Sequence, residues 1–313
     1  MKRLLPFLLL ALGLALPFIL TAMGQEYYIS FASRVLVVAL AASALNLILG
    51  YGGLVSFGHA AYFGAGAYTA ALLAGKGAGL PAQLLVGTGV AALLAFVFGW
   101  AALRTRGVYF IMITLALAQM LYYLAVSSDS LGGEDGLRIS RAALWGDLTL
   151  GDDRAMYYTA LTALTLGLFV IWRVVHSRFG EVVQAARDNE TRTAALGYPV
   201  RRYQLVNFVI GGALAGLAGV LMTQISGFTN PSLLSWQQSG QFMMMVILGG
   251  VGTFWAGLLG TAVLLGLEEY LGEVTERWPL FVGLILLGVM LFAPKGLGSL
   301  GTLFGRKKKE VVE

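Results

Sequence analysis

The residues of this chain that can carry chemistry fall into two groups. One is a charged stretch, "EVVQAARDNETRTAALG" at 181–197, which places Glu181, Arg187, Asp188, Glu190 and Arg192 in a chain that is only 12% charged. The other is a scatter of polar side chains in apolar surroundings: Asn46, Ser56, His59, Thr69, Thr114, Gln119 and Asn207. Neither group has the make-up of a catalytic or metal constellation. The chain has no cysteines, which excludes disulfides, thiol nucleophiles and cysteine metal sites. Its two histidines, His59 and His176, are far apart in sequence, and no metal cluster is expected of them. No GxxxxGK[ST] phosphate loop occurs, so the chain itself is not expected to bind or hydrolyse ATP by that route. A net charge of +5 can signal a nucleic-acid partner, but in a chain that is 58% hydrophobic it more simply marks loops on the cytoplasmic face of a membrane.

The elements that must hold these residues are apolar runs. A run of about 18 or more uncharged apolar residues reads as a membrane span. Ten such segments are expected, at 4–23, 28–49, 54–74, 82–103, 107–126, 156–175, 205–226, 240–254, 256–271 and 279–293. They predict an all-α polytopic bundle in a single membrane domain, 1–313. Barrel strands would alternate, and these runs do not. The first segment follows Lys2 and Arg3 as a signal peptide would, but it is longer than the usual apolar core of one, so a retained helix is expected. The eighth and ninth segments are short and joined by "GGVGTFWAG", which suggests re-entrant or broken helices.

Threading ten spans from a cytoplasmic N-terminus puts 15 of the 21 Lys and Arg residues on the cytoplasmic side. The same threading leaves 11 of the 16 acidic residues outside, among them Asp129, Glu134, Asp135, Glu273 and Glu276. That Lys/Arg bias is the signal that sets orientation. It makes 127–155 an extracytoplasmic loop, 176–204 a cytoplasmic loop and 302–313 a basic cytoplasmic tail. Tyr27, Trp100, Tyr123 and Trp172, near span ends, suit interfacial belts.

The charged stretch cannot lie in the bilayer. Seven formal charges between 181 and 202, at about 2.5–3.5 kcal/mol each, far exceed what flanking apolar residues can offset. It is nevertheless patterned. Val182, Val183, Ala185 and Ala186 form one apolar patch at helical spacing, and Ala194, Ala195 and Leu196 a second. Asp188 and Asn189 are turn and cap types, Gly197 suits a helix C-terminus, and Pro199 blocks continuation. Two short helices around a turn at 188–191 are expected, suited to docking into a groove on another protein.

Within the spans, "GYGGLVSFGHA" is the distinctive piece. Gly50, Gly52 and Gly53 would interrupt a helix, and Ser56 would cap the next, presenting backbone N–H groups to a substrate carboxylate. The candidate translocation path is therefore Asn46, Gly52, Gly53, Ser56, His59, Thr114, Gln119 and Asn207. For most of these, structural hydrogen bonding is the plainer alternative, and for His59 packing or capping. "GGALAGLAG", with Gly212, Gly216 and Gly219, permits close helix approach, more simply within the chain than between chains.

The island followed by "RRYQLVNFVIGGALAGLAGVL" resembles the cytoplasmic loop and next span of branched-chain amino acid ABC transporter permeases. So do "ALNLILGYGGLVSFGHAAYFGAGAYTAALL", "GGEDGL", "GGVGTFWAGLLGTAVL" and "LFAPKGLGSL", in an order and spacing similar to the LivM-type subunit. The resemblance implies an inner-membrane permease paired with a LivH-type permease. It also implies two cytoplasmic ATPase subunits that bind the ATP, so no cofactor in this chain, and an extracytoplasmic binding protein. The ATPase-coupling loop would comprise Glu181, Gln184, Ala185, Ala186, Arg187, Asp188, Asn189, Glu190 and Gly197. The loop of other importers usually reads Glu-Ala-Ala with Gly a few residues on; this chain departs from that at Gln184 and in its later Gly197. Permeases for urea or short amides are similar and form the near alternative. An ion-coupled secondary transporter is the rival class. It would need an intramembrane acid, and Glu268 and Glu269 fall near a predicted outer end. An intramembrane enzyme lacks a nucleophile or metal constellation.

Overall fold

The computed structural model describes residues 5–22, 24–25, 27–139, 141, 143–145, 148–149, 153–292 and 296. The helices are α1 (Leu5–Ala22), α2 (Tyr27–Asn46), α3 (His59–Ala74), α4 (Leu80–Ala102), α5 (Val108–Val126) and α6 (Asp153–Val175). They continue with α7 (Arg178–Asp188), α8 (Glu190–Ala195), α9 (Val200–Ser226), α10 (Trp236–Gly249), α11 (Ala256–Val274) and α12 (Trp278–Phe292). A π-helical turn, Leu47–Tyr51, extends α2, and a 3-10 turn, Pro231–Leu234, precedes α10. Ten of these helices coincide with the ten apolar segments, and α7 and α8 occupy the charged island. The expected basic tail at 302–313, and Lys2, Arg3, Asp147, Asp152 and Lys295, lie outside the described residues.

Local chemistry explains several boundaries. Pro81 stands in the first turn of α4, where its missing N–H costs nothing. Asp153 opens α6 and Arg173 stands in its last turn, matching the helix dipole at both ends. Gly227, at φ +63°, closes α9 by donating its N–H to the Thr223 carbonyl.

At about 1.5 Å per residue, the 27-residue α9 is some 40 Å long, and it is the axis of the bundle. It packs on α4, α3 and α2. The glycines singled out in sequence make these contacts inside the chain. Gly212 lies on Ala95, Gly216 on Gly66 and Ala91, and a Cβ on Gly219 would run into the Phe63 carbonyl. Small residues let helix backbones meet where lipid supplies no hydrophobic drive. By contrast α5 buries only Phe110, Thr114, Ala118 and Ala125, a single stripe, and exposes Met112, Met120 and Tyr123. Leu85, Phe96, Phe169 and Leu284 are likewise exposed, an apolar surface that suits lipid.

Among the described residues, five segments are long and apolar enough to cross a membrane alone: Tyr27–Tyr51, α4, α5, α6 and α9. The shorter α3 and α10 depart from expectation. The third segment was expected to be helical from 54, yet residues 52–58 are not helical and α3 starts at His59. The cause is Gly53, at φ +69°, which turns the chain out of the π-helical turn. Residues 227–235 similarly precede α10 without α-helix, and the Ser239 hydroxyl accepts from the Ala60 N–H at 2.9 Å. The first turns of α3 and α10 therefore meet inside the bundle. Non-helical backbone at that depth is tolerated where protein covers it, and Ser56, Gly58 and Ser239 are buried.

Contacts among the connecting segments sort into two ends. At one, Arg106 pairs with Glu190 at 2.9 Å, and Asn46 donates to the Thr253 carbonyl at 2.8 Å. At the other, β1 (Leu137–Arg138) pairs antiparallel with β4 (Phe228–Thr229), and a small hairpin joins β2 (Ala143–Trp145) to β3 (Leu148–Thr149). There Arg141 also pairs with Asp153 at 2.7 Å, and Tyr27 donates to Glu269 at 2.7 Å. Each of these contacts joins segments that the charge count assigns to the same side.

Candidate functional site: the island and its junction

The Ser177 hydroxyl caps α7 by accepting from the Gly180 N–H at 3.2 Å. Gly180, Val183 and Ala186 form the buried stripe of α7. Gln184 Nε2 donates to the carbonyls of Gly180 and Val175, at 3.1 and 3.3 Å, and so straps α7 to the end of α6. Glu181 and Ala185 stay exposed.

Asn189 then has two roles. Its N–H ends α7 on the Ala185 carbonyl at 2.9 Å, and its Oδ1 starts α8 by accepting from the Arg192 N–H at 2.8 Å. The Asn189 backbone is extended, φ −158° and ψ 98°, so the two helices meet at an elbow rather than running on. Gly197, at φ +88°, terminates α8 after Leu196, as its type predicts. The second apolar patch faces outward. Ala194, Ala195 and Leu196 are exposed, Leu196 at 73%, and Thr193 is the buried residue of α8. The six residues of α8 turn that patch outward. With Arg178, Glu181, Val182 and Ala185, Leu196 and Tyr198 border an open groove of about 900 Å³.

Arg187 joins the island to the bundle. One guanidinium nitrogen donates to the Gly50 carbonyl at 2.7 Å, while Nε and the other donate to Asp188 Oδ1 at 3.1 and 2.9 Å. Its stem lies on Gly53, where a Cβ would stand 2.6 Å from Arg187 Cγ. Glu190 adds the pair with Arg106 at the start of α5.

Four residues expected on the translocation path lie in this junction. Asn46 Oδ1 accepts from the Gly252 N–H at 2.9 Å while its Nδ2 holds Thr253, so one side chain clamps the turn between α10 and α11. Gly50 faces Gly252, and a Cβ there would meet the Gly252 nitrogen at 2.5 Å. Asn207 Nδ2 donates to the Leu47 carbonyl at 3.0 Å, a group in the π-helical turn, and lies against Gly52. Gly252 and Thr253 were missed in sequence as partners of "GYGG". The doubled glycine clusters, "GYGG" and "GGVG", were the available signal.

Ser56, His59 and Thr114 form a second, interior group. Ser56 does not cap α3 in the expected way. Its Oγ accepts from Gly58 N–H at 3.2 Å, and Gly58 itself is the N-cap. Thr114 Oγ1 accepts from Phe57 N–H at 3.3 Å, and Ser239 takes Ala60 N–H. The N–H groups of Phe57, Gly58 and Ala60 are thus engaged within the chain. His59 Nε2 bonds the Ala41 carbonyl at 3.0 Å, which places its proton on that nitrogen. The ring packs edge-on to Tyr62 and Phe242. Gln119, half-buried on α5, makes no side-chain hydrogen bond among the described residues and joins neither group.

The family model described as "Branched-chain amino acid transport system / permease component" matches residues 27–294. The permease protein LivM of Escherichia coli (strain K12), of a high-affinity branched-chain amino acid transport system, is 29% identical over 92% of this chain and 73% of its own. BraD of Pseudomonas aeruginosa, a permease protein of such a system, is 25% identical over 83% of this chain and 90% of its own. LivH of Escherichia coli (strain K12) is 30% identical over 44% of each. No solved structure matches the chain. The chain belongs to the branched-chain amino acid transport system permease components.

Proposed function

We propose that this chain is the LivM-type permease subunit of an ATP-driven importer that moves branched-chain or other apolar amino acids across the cytoplasmic membrane. It pairs with a LivH-type permease, receives substrate from an extracytoplasmic binding protein and is driven by two ATPase subunits on the island side. That side is cytoplasmic, as are both termini, by the distribution of Lys and Arg. The chain contributes no ATP site of its own.

The observation that carries this reading is the island's construction. It presents Ala185, Leu196 and Tyr198 outward and sends Arg187 inward to Gly50. An exposed apolar surface on a cytoplasmic elbow suits a partner's groove. Displacement of α7 then acts directly on the backbone that begins the non-helical path into α3. The ATPases favour one arrangement of that path over the other because ATP binds their two states differently.

A single cysteine at Leu196, in this cysteine-free chain, is expected to cross-link to an ATPase subunit in native membranes. Uptake of labelled leucine into vesicles is expected to require ATP. Leucine uptake driven by an ion gradient without any ATPase subunit would overturn the reading. Uptake of urea or a short amide in place of leucine would replace its substrate.

A further inference from the structure

At the end opposite the island, a cavity of about 250 Å³ opens between α2, α3, α9, α10, α11 and residues 228–233. It is slightly smaller than the roughly 300–1,000 Å³ of drug-sized sites. Its floor is apolar: Val38, Phe63, Met245 and Leu265 are all at least nine-tenths buried. Its wall is polar, with Arg34, Asn230, Ser232, Gln238 and Gln241. Gln241 Nε2 donates to both carboxylate oxygens of Glu268, at 3.1 and 3.4 Å.

Arg34 stands within a membrane span, about two turns into α2. A charge in a span is costly, and such residues usually line a cavity or a pathway. Arg34 lines this cavity, and among the described residues it makes neither a hydrogen bond nor an ion pair. The wall therefore carries an unpaired guanidinium, and the Glu268 carboxylate, outside the lining itself, is joined to it through Gln241. A small apolar amino acid has the complementary form: a carboxylate and an ammonium at one end, a branched hydrocarbon at the other.

We propose that this cavity binds such an amino acid as its zwitterion, the carboxylate on Arg34, the ammonium at Gln241, whose amide the Glu268 carboxylate holds and whose side of the cavity it makes negative, and the side chain against Val38, Phe63, Met245 and Leu265. A guanidinium suits the first contact because it can meet a carboxylate with two parallel N–H bonds. The proposal rests on the permease reading and deepens it: substrate is selected within this chain as well as before it.

Because the chain has no cysteine, Ser232→Cys places its sole thiol in the cavity wall. In the purified importer complex, leucine is expected to slow alkylation of that thiol several-fold. Leucinamide, without the carboxylate, and 4-methylpentanoate, without the ammonium, are expected to leave it unchanged. Adding Arg34→Gln or Glu268→Gln to the same protein is expected to remove the protection. Each of these two substitutions alone is expected to lower leucine uptake about tenfold or more. If the unsubstituted complex does not take up leucine, the permease reading itself fails. If it does, but leucine leaves the Ser232→Cys thiol unprotected, the site is overturned while the permease reading stands. The site is equally overturned if both single variants transport as the unsubstituted complex does.

Discussion

The two ends of this bundle handle polarity in opposite ways. At the island end, polar side chains are spent on backbone: Asn46 on Gly252 and Thr253, Asn207 on Leu47, Arg187 on Gly50. Glycines then let those backbones touch. At the opposite end several side chains bond to one another, as in Tyr27 with Glu269, Arg141 with Asp153 and Gln241 with Glu268, and a cavity lined in part by Gln241 is left open. A side chain–backbone clamp fixes where the chain runs, so a push is passed on rather than absorbed. A loose ring of side chains leaves room for a ligand. The contrast suits a machine driven from one end and loaded at the other.

Substitutions sharpen this contrast. The largest effect is expected from Gly50→Val, whose Cβ would strike both the Asn46 side chain and the Gly252 backbone. Overpacking of this kind costs about 1–3 kcal/mol, sometimes more, and here it also breaks the Asn46 clamp. A lowered unfolding temperature in detergent is the readout. Asn46→Ala comes next, leaving one N–H and one C=O without their partner at about 1–3 kcal/mol for each buried group. Arg187→Ala should alter stability less but function more specifically. Uptake is expected to fall about tenfold, equivalent to 1.4 kcal/mol, while membrane insertion and ATP hydrolysis persist; normal uptake would break the proposed link between island and bundle. Asp188→Asn, which only loosens Arg187, should fall between Arg187→Ala and the unsubstituted chain. Smallest of all is Asp153→Asn at the opposite end. Its ion pair with Arg141 is partly exposed, and such pairs contribute about 0.2–1 kcal/mol. A loss there matching that of Asn46→Ala would erase the difference between the ends.

Much of this was legible in the sequence, and the reason is local. Apolar length identified ten helices, and Asn189, Gly197 and Pro199 announced the elbow and its exit because caps and stops act on neighbouring residues. The junction was legible only in its parts. Gly50, Gly52 and Gly53 read as a helix break, but nothing near them specifies that Gly252, about 200 residues away, would be their counterpart. Asn46 and Asn207 were candidates for the path, with structural hydrogen bonding the plainer alternative, because a polar residue in a span has two uses, and only the fold shows which partner it finds. The patch at Ala194 to Leu196 was legible, but not which way it points: in a six-residue helix the one buried residue, Thr193, decides which side faces in. Arg34 and Glu268 are not legible together, because they lie on separate helices and Glu268 reaches the cavity only through Gln241, on a third.

The short ribbon between residues 137–138 and 228–229 has a wider reach than its size suggests. It moors the large surface loop to the stretch descending toward Trp236. That descent ends at Ser239, whose hydroxyl steadies the first turn of α3. The segment feeding α3 begins beneath Arg187. Whatever lands on the loop and whatever grips the elbow are thus holding opposite ends of one taut line.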